Sequence, residues 1–246
     1  MKKLKRRIIA FVIVIAIIAL LVFGGAVFVG CTDIHIHTKA KDGQTKVACV
    51  GDSITYGMSV INWFENTYPA QLGEMLGDDY HVQNFGFSAK TAQENNEESY
   101  RATKLYEKSK AYQPDIVILM LGSNDSKPYN FTGGKADFKK AMKELIEIYQ
   151  GLESSPEIIL ATVNSGFYVH GASEGDYMYD INGTNINVIN EAIVELASEY
   201  NLTLVDTYAI TKDHPEWYKL DGIHPDKNGQ TAMAEAFAEA VIGLEK

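Results

Sequence analysis

The chain is poor in cysteine, with only two among its 246 residues, and this scarcity excludes several classes of protein. Two cysteines cannot form the disulfide network that stabilises small secreted domains. Cys49 lies inside an apolar stretch where a small buried side chain is expected, so we do not predict a disulfide with Cys31. No Cys or His spacing is typical of a zinc site, and we predict neither a metal nor another cofactor.

Positive charge is also scarce, with 22 Lys and Arg residues against 32 Asp and Glu residues. The formal net charge is −10, and because the first 30 residues carry +5, the remainder carries −15. An acidic body argues against nucleic acid as a partner, since phosphate recognition needs clustered Lys and Arg. It also disfavours a domain that lies flat on anionic lipid. The oligomeric state is not indicated.

Residues 8–30 lack charge altogether and follow a basic cluster at residues 2–7. An apolar run of about 23 residues is long enough to cross a bilayer of about 30 Å. It is longer than the usual signal-peptide core of about 7–15 residues. The positive-inside rule places the basic end in the cytoplasm and the body outside. Residues 1–30 are therefore predicted to anchor the chain in a membrane.

Cys31 introduces an alternative for this segment. Residues 28–31, Phe-Val-Gly-Cys, resemble a bacterial lipobox, in which the cysteine is lipidated and the preceding segment is removed. Cys31 is thus a candidate lipidation site, and residues 1–30 are either a lipoprotein signal or an uncleaved anchor. Both alternatives place the body on the outer face of a bacterial membrane. We interpret residues 31–45, including His35 and His37, as a linker or edge strand and not as a metal site.

Residues 46–246 alternate short apolar runs with segments of helical periodicity. The apolar runs predict strands at 47–50, 80–85, 115–121, 157–163 and 202–205, and the periodic segments predict helices at 68–76, 99–112, 138–149, 186–197 and 228–242. The third strand is apolar on both faces, which is typical of a central parallel strand. We therefore predict an α/β fold: one three-layer α/β/α sandwich with a central parallel sheet, flavodoxin-like in layout. The long irregular stretch at 164–183 is expected to overhang a site.

Four loops, three of which follow predicted strands, carry the residue types that acyl transfer through serine requires. They are Gly-Asp-Ser-Ile-Thr at 51–55, Asn-Phe-Gly-Phe-Ser at 84–88, Gly-Ser-Asn-Asp at 122–125 and Asp-Gly-Ile-His-Pro at 221–225. Ligands of open α/β sheets bind outside the carboxyl ends of the strands, where Ser53 is expected. A serine nucleophile needs a base, a carboxylate that orients the base, and donors for the oxyanion.

These four motifs, in this order, resemble the SGNH (GDSL-type) hydrolase family, and the resemblance covers residues 47–242. The resemblance implies a serine esterase with Ser53 as the nucleophile, His224 as the base and Asp221 as the partner of the base. The spacing of three between Asp221 and His224 lets both side chains turn inward.

The resemblance also implies an oxyanion hole made of the Ser53 and Gly86 backbone N–H groups and the Asn124 side chain. The sequence departs from the usual family pattern at two positions. Ser123 stands where threonine is common, and Ala89 stands where glycine is common. The second departure is expected to alter slightly the loop that presents Gly86, because alanine resists a positive φ.

Residues 122–131 resemble the corresponding stretch of bacterial carbohydrate O-acetylesterases in this family. We therefore expect hydrolysis of short acyl esters, especially O-acetyl esters, on carbohydrate. Asp52, Trp217 and Tyr218 are candidate substrate-binding residues, although the two aromatic side chains could equally be packing residues. Polar residues near the motifs favour a small polar pocket: Ser126, Lys127, Asn130, Thr132 and Lys219. The alternatives are a lysophospholipase or thioesterase, a polysaccharide O-acyltransferase, and a catalytically inactive glycan-binding protein.

Two further motifs resemble catalytic elements but are not predicted to act as such. Residues 171–175, Gly-Ala-Ser-Glu-Gly, match a nucleophile elbow around Ser173, but the flanking sequence predicts neither the strand nor the helix that the elbow needs. Asp213 and His214 are adjacent, so their side chains would point apart in an extended chain.

Overall fold

The computed structural model describes residues 32–58, 60–94, 97–167, 177–218 and 220–244. The chain divides into two units, Met1–Ile34 and His35–Lys246. The apolar run at 8–30 and Cys31 lie outside the described residues. Within the described ranges, no helix combines the length and the apolar character that crossing a membrane requires.

A five-stranded parallel sheet forms the centre of the second unit. Its strands are β1 (Thr45–Gly51), β2 (Tyr80–Gly86), β3 (Ile116–Met120), β4 (Glu157–Ala161) and β5 (Thr203–Val205), in the order β2-β1-β3-β4-β5. All neighbouring pairs are parallel. This is the flavodoxin-like order, and it confirms the predicted sheet. Gly51 pairs with Gly86 on one side and with Met120 on the other, so three strands end together at one edge.

Helices connect successive strands and cover both faces of the sheet. They are α1 (Ser53–Tyr56), α2 (Trp63–Asn66), α3 (Tyr68–Leu76), α4 (Lys104–Ala111), α5 (Gly134–Gln150), α6 (Gly183–Glu199), α7 (Thr207–Thr211) and α8 (Lys227–Gly243). The predicted helix at 99–112 is divided, because Thr103 is extended and its hydroxyl accepts a hydrogen bond from the Tyr106 N–H, which caps α4. A 3₁₀ turn at Tyr100–Ala102 precedes this cap.

Two apolar clusters fill the spaces between the sheet and the helices. One contains side chains of α4, α5 and α6, and the other contains side chains of α3 and α8. Cys49 is buried in the second cluster with a free thiol. The two clusters establish the three-layer α/β/α sandwich that the periodicity predicted.

From His35 onward, the segment interpreted as a linker or edge strand belongs to the second unit. The His37 ring stacks on Phe85 with a centroid distance of 4.8 Å. The Thr38 N–H donates a hydrogen bond of 3.2 Å to Gln83 Oε1 on β2. His35 and His37 belong to no group of three or more metal-ligating side chains within the described residues.

Candidate active site

The turn between β1 and α1 places Ser53 at the carboxyl edge of the sheet. Gly51 is required here, because a Cβ atom at this position would lie 2.6 Å from the Met120 carbonyl oxygen. Asp52 caps α1, and its Oδ1 accepts a hydrogen bond of 3.0 Å from the Ile54 N–H. Ser53 is the first residue of α1, so the helix itself provides no acceptor for the Ser53 N–H.

Ser53, His224 and Asp221 form a continuous chain of hydrogen bonds, as the motifs predicted. His224 Nε2 lies 2.8 Å from Ser53 Oγ, and His224 Nδ1 lies 2.6 Å from Asp221 Oδ2. The Asp221 carboxylate can only accept, so Nδ1 carries the proton and Nε2 accepts from the serine hydroxyl. All three side chains are buried. This is the geometry in which a histidine removes the proton of a serine nucleophile.

Asp221 remains ionised despite its environment. Burial alone would raise its pKa, but hydrogen bonds from His224 and the charge of that imidazole when protonated outweigh burial and hold the pKa below its ordinary value. Asp221 Oδ1 also accepts hydrogen bonds of 2.9 Å from the Ile223 and His224 backbone N–H groups. The carboxylate therefore fixes both the position and the tautomer of the imidazole.

The structure does not support Gly86 as an oxyanion donor. Its N–H donates a hydrogen bond of 2.9 Å to Asn84 Oδ1. A Cβ atom at Gly86 would lie 2.7 Å from the Thr55 carbonyl carbon, so this position requires glycine because α1 approaches so closely. The sequence motif identified the correct loop, but the prediction that the Gly86 N–H points to the site was wrong.

Ala89 is the candidate backbone donor that the sequence analysis missed. It adopts a left-handed conformation with φ of +59°, and no described residue accepts a hydrogen bond from its N–H. Asn124 Nδ2 donates a hydrogen bond of 3.1 Å to the carbonyl oxygen of Lys90, which places this turn beside the predicted Asn124 side chain. The sequence did indicate a turn with positive φ at this position, because glycine is common where Ala89 stands and glycine favours positive φ.

Asp125 holds the chain that follows this turn. Its two carboxylate oxygens accept hydrogen bonds of 3.0 Å from the Ala92 and Gln93 backbone N–H groups. Asn130 Nδ2 donates 3.0 Å to the carbonyl oxygen of Asn124. Asp125 is fully buried, and burial raises its pKa to about 6. The Gly-Ser-Asn-Asp motif thus supplies one candidate oxyanion donor and positions the loop that supplies another.

Two of the three candidate substrate-binding residues, Asp52 and Tyr218, are buried packing residues. Asp52 is 1% exposed, and burial raises its pKa. Tyr218 is 2% exposed, and its hydroxyl accepts a hydrogen bond from Asn164 Nδ2. Trp217 is half-buried and stacks on His214 with a centroid distance of 3.8 Å, which covers one face of the indole. Neither Asp52 nor Tyr218 can reach a sugar at the surface.

The expected polar pocket is also largely internal. Ser126, Lys127 and Asn130 are buried, whereas Thr132 is exposed and Lys219 lies outside the described residues. Ser173 lies outside them as well. His214 Nδ1 lies 2.8 Å from Glu216 Oε1, so the histidine is oriented by Glu216 and not by Asp213.

The sequence model of the GDSL-like lipase/acylhydrolase family matches residues 49–232, which is most of the chain and includes all four motifs. The chain belongs to this family. The family predicted from the four motifs is thereby confirmed.

Curated relatives of this GDSL-family chain include an acetylxylan esterase from Xylanibacter ruminicola, 31% identical over 224 residues, which are 82% of this chain and 44% of that protein. A multidomain esterase from Ruminococcus flavefaciens is 28% identical over 144 residues, which are 56% of this chain and 17% of that protein. The chain spans less than half the length of these curated relatives.

Solved structures with the same fold include an aryl esterase from M. smegmatis and a carbohydrate acetylesterase from Sinorhizobium meliloti. Each has a TM-score of 0.65 and 21% identity. The first likeness covers 81% of this chain and 99% of the other, and the second covers 82% and 100%. At this identity the likeness establishes the fold.

Proposed function

We propose that this chain is a serine esterase that removes short acyl groups, above all acetyl groups, from carbohydrate. The observation that carries the proposal is the buried hydrogen-bond chain from Ser53 through His224 to Asp221. Membership of an acylhydrolase family and the names of two relatives, an acetylxylan esterase and a carbohydrate acetylesterase, support the same chemistry.

In the proposed reaction, Ser53 Oγ attacks the ester carbonyl carbon while His224 Nε2 takes the hydroxyl proton. The negative charge on the carbonyl oxygen is stabilised by the Ser53 N–H, the Asn124 side chain and the Ala89 N–H. His224 then gives its proton to the leaving sugar oxygen, and the acyl group stays on Ser53 as an ester. Water, deprotonated by His224, cleaves that ester and restores the free serine.

A second candidate is a lysophospholipase-like esterase, and exposed apolar side chains favour it. Leu220, adjacent to Asp221, is 69% exposed. Ile61, which precedes α2, and Phe64, within α2, are also well exposed. Exposed apolar side chains of this kind, above all Leu220 next to Asp221 in the sequence, offer apolar surface to a fatty acyl chain.

A series of p-nitrophenyl esters distinguishes the two candidates. The full-length protein, in nonionic detergent, is assayed with acetyl to octanoyl esters. Each methylene buried in an apolar groove would gain about 0.8 kcal/mol, or about fourfold in kcat/KM. For an acetylesterase we expect kcat/KM to fall beyond about butyryl, because the acyl pocket is overfilled. A steady rise from acetyl through octanoyl would contradict the acetylesterase and favour the lipase-like alternative.

A further inference from the structure

A turn at Met178–Asp180 carries an aromatic side chain to the catalytic histidine. Tyr179 and Asp180 both adopt left-handed conformations, with φ of +62° and +60°. The Tyr177 N–H donates a hydrogen bond of 2.9 Å to the Ile181 carbonyl oxygen and closes the turn. Two consecutive non-glycine residues in this conformation are unfavourable and persist only where the surroundings hold them.

The base of this turn is fixed to the loop that carries Asn124. The Asn182 N–H donates a hydrogen bond of 3.2 Å to Ser126 Oγ, and Asn185 Nδ2 donates 2.8 Å to the Ser126 carbonyl oxygen. Ser126 is fully buried, so these contacts are shielded from water. These hydrogen bonds fix the turn, and they thereby fix the position of the Tyr179 side chain at its tip.

Tyr179 lies over the catalytic pair while much of its ring faces solvent. Its ring centroid is 6.0 Å from that of His224, and the side chain is 55% exposed. Its hydroxyl is 3.5 Å from Asp221 Oδ2, too far for a strong hydrogen bond. Asp221 already accepts three shorter hydrogen bonds from His224 and Ile223. The Tyr179 hydroxyl therefore contributes little to the catalytic pair, whereas the exposed ring is available to contact a substrate.

We propose that the Tyr179 ring stacks on the sugar ring that bears the ester and so determines the preference for carbohydrate esters. The inference rests on the proposed function above. An exposed aromatic face beside the base is where the leaving alcohol must lie, because His224 has to protonate that oxygen. Aromatic rings offer a large apolar face at little cost in conformational entropy, and the carbon-bound hydrogens of a pyranose form a matching apolar face.

The test uses two esters that share the acetyl group but differ in the alcohol: an acetylated xylo-oligosaccharide and ethyl acetate. Tyr179→Asn removes the ring and keeps a residue that tolerates the left-handed conformation. We expect KM for the sugar ester to rise about tenfold, with kcat/KM for ethyl acetate changed less than about twofold. Tyr179→Phe, which keeps the ring, and Met178→Ala, in the same turn, are expected to behave as wild type on both esters.

Equal losses on both esters in Tyr179→Asn, with a wild type active on both, would overturn this proposal alone. A loss in Tyr179→Phe accompanied by a shifted pH–rate profile would also overturn it, because the hydroxyl would then act through Asp221. A wild-type protein that cleaves ethyl acetate but not the sugar ester would overturn both the carbohydrate substrate and the role of Tyr179.

Discussion

The pKa values of two buried carboxylates near the candidate site are shifted in opposite directions, although burial alone would raise both. Asp221 gains hydrogen bonds from His224 that outweigh burial, so its pKa lies below the ordinary value. Asp125 is fully buried and accepts only backbone and neutral side-chain hydrogen bonds, so burial dominates and raises its pKa to about 6. Each shift makes the stability of the fold depend on pH, but with opposite sign.

Asp125 should make the protein less stable as the pH rises through the range from about 4 to 6. Its pKa is raised from 3.8, so the folded state binds the proton more tightly than the unfolded chain does. The stabilising contribution of the protonated form is present below the unfolded pKa and is lost by about pH 6 to 7. Between pH 4.5 and 7 we expect this group to lower the free energy of unfolding by about 2 kcal/mol.

Urea unfolding of wild type and Asp125→Asn at pH 4.5 and at pH 7 measures this contribution. From pH 4.5 to pH 7, the free energy of unfolding of wild type should fall by about 2 kcal/mol relative to that of Asp125→Asn. The exposed Asp42 supplies the control, and Asp42→Asn should leave the difference between the pH values unchanged. Identical pH dependence in wild type and Asp125→Asn would disprove a raised pKa.

Gly86, at the end of β2, has no room for a Cβ atom, whereas Ala89, in the turn that follows, carries a Cβ atom in a left-handed conformation. One substitution at each position tests both statements. Gly86→Ala introduces a Cβ atom 2.7 Å from the Thr55 carbonyl carbon and should destabilise the fold by about 3 kcal/mol. Ala89→Gly relieves a left-handed alanine and should be neutral or stabilising by up to about 1 kcal/mol. Thermal and urea unfolding measure both, and a destabilising Ala89→Gly with a harmless Gly86→Ala would contradict the described loop.

The regular elements could be predicted because their signals are local. The wholly apolar β3 and the 3.6-residue period of α5 and α6 are visible in the sequence alone. The single predicted helix at 99–112 was divided by Thr103, whose hydroxyl starts a new helix. Short helices such as α2 and α7 contain too few residues for a period to be recognised.

Site residues that belong to a sequence motif could be predicted, whereas those whose role depends on packing between distant segments could not. Ser53, Asp221 and His224 lie together as expected. The sequence does not reveal that the Gly86 N–H already has an acceptor, so Gly86 was chosen as the donor although the glycine usual at position 89 indicated a positive φ there. Tyr179 was missed because its proximity to His224 arises from contacts between distant segments.

For the whole molecule, we propose that the first 30 residues hold the catalytic unit at the outer face of a membrane. The support is the uncharged run at 8–30 after a basic cluster. A serine esterase in this location meets surface and extracellular polysaccharides before it meets cytosolic metabolites. The location thus agrees with an acetylated glycan as the substrate.

Cell fractionation and fatty-acid labelling test the proposed location and its two forms. We expect the full-length protein in the membrane fraction, with its body accessible to added protease in intact cells. Metabolic label that disappears in Cys31→Ser identifies a lipoprotein, and absence of label in wild type identifies an uncleaved helix. Recovery of the full chain in the soluble fraction would contradict both forms.

The central claim is that Ser53 carries the acyl group during ester hydrolysis, and mass spectrometry of the rapidly quenched protein tests it most directly. The full-length protein is mixed with excess p-nitrophenyl acetate, quenched in acid and digested. We expect a mass increase of one acetyl group on the peptide that contains Ser53. Ser53→Ala should lose both the added mass and the turnover. Acetylation at another residue, or hydrolysis that persists in Ser53→Ala, would contradict the account.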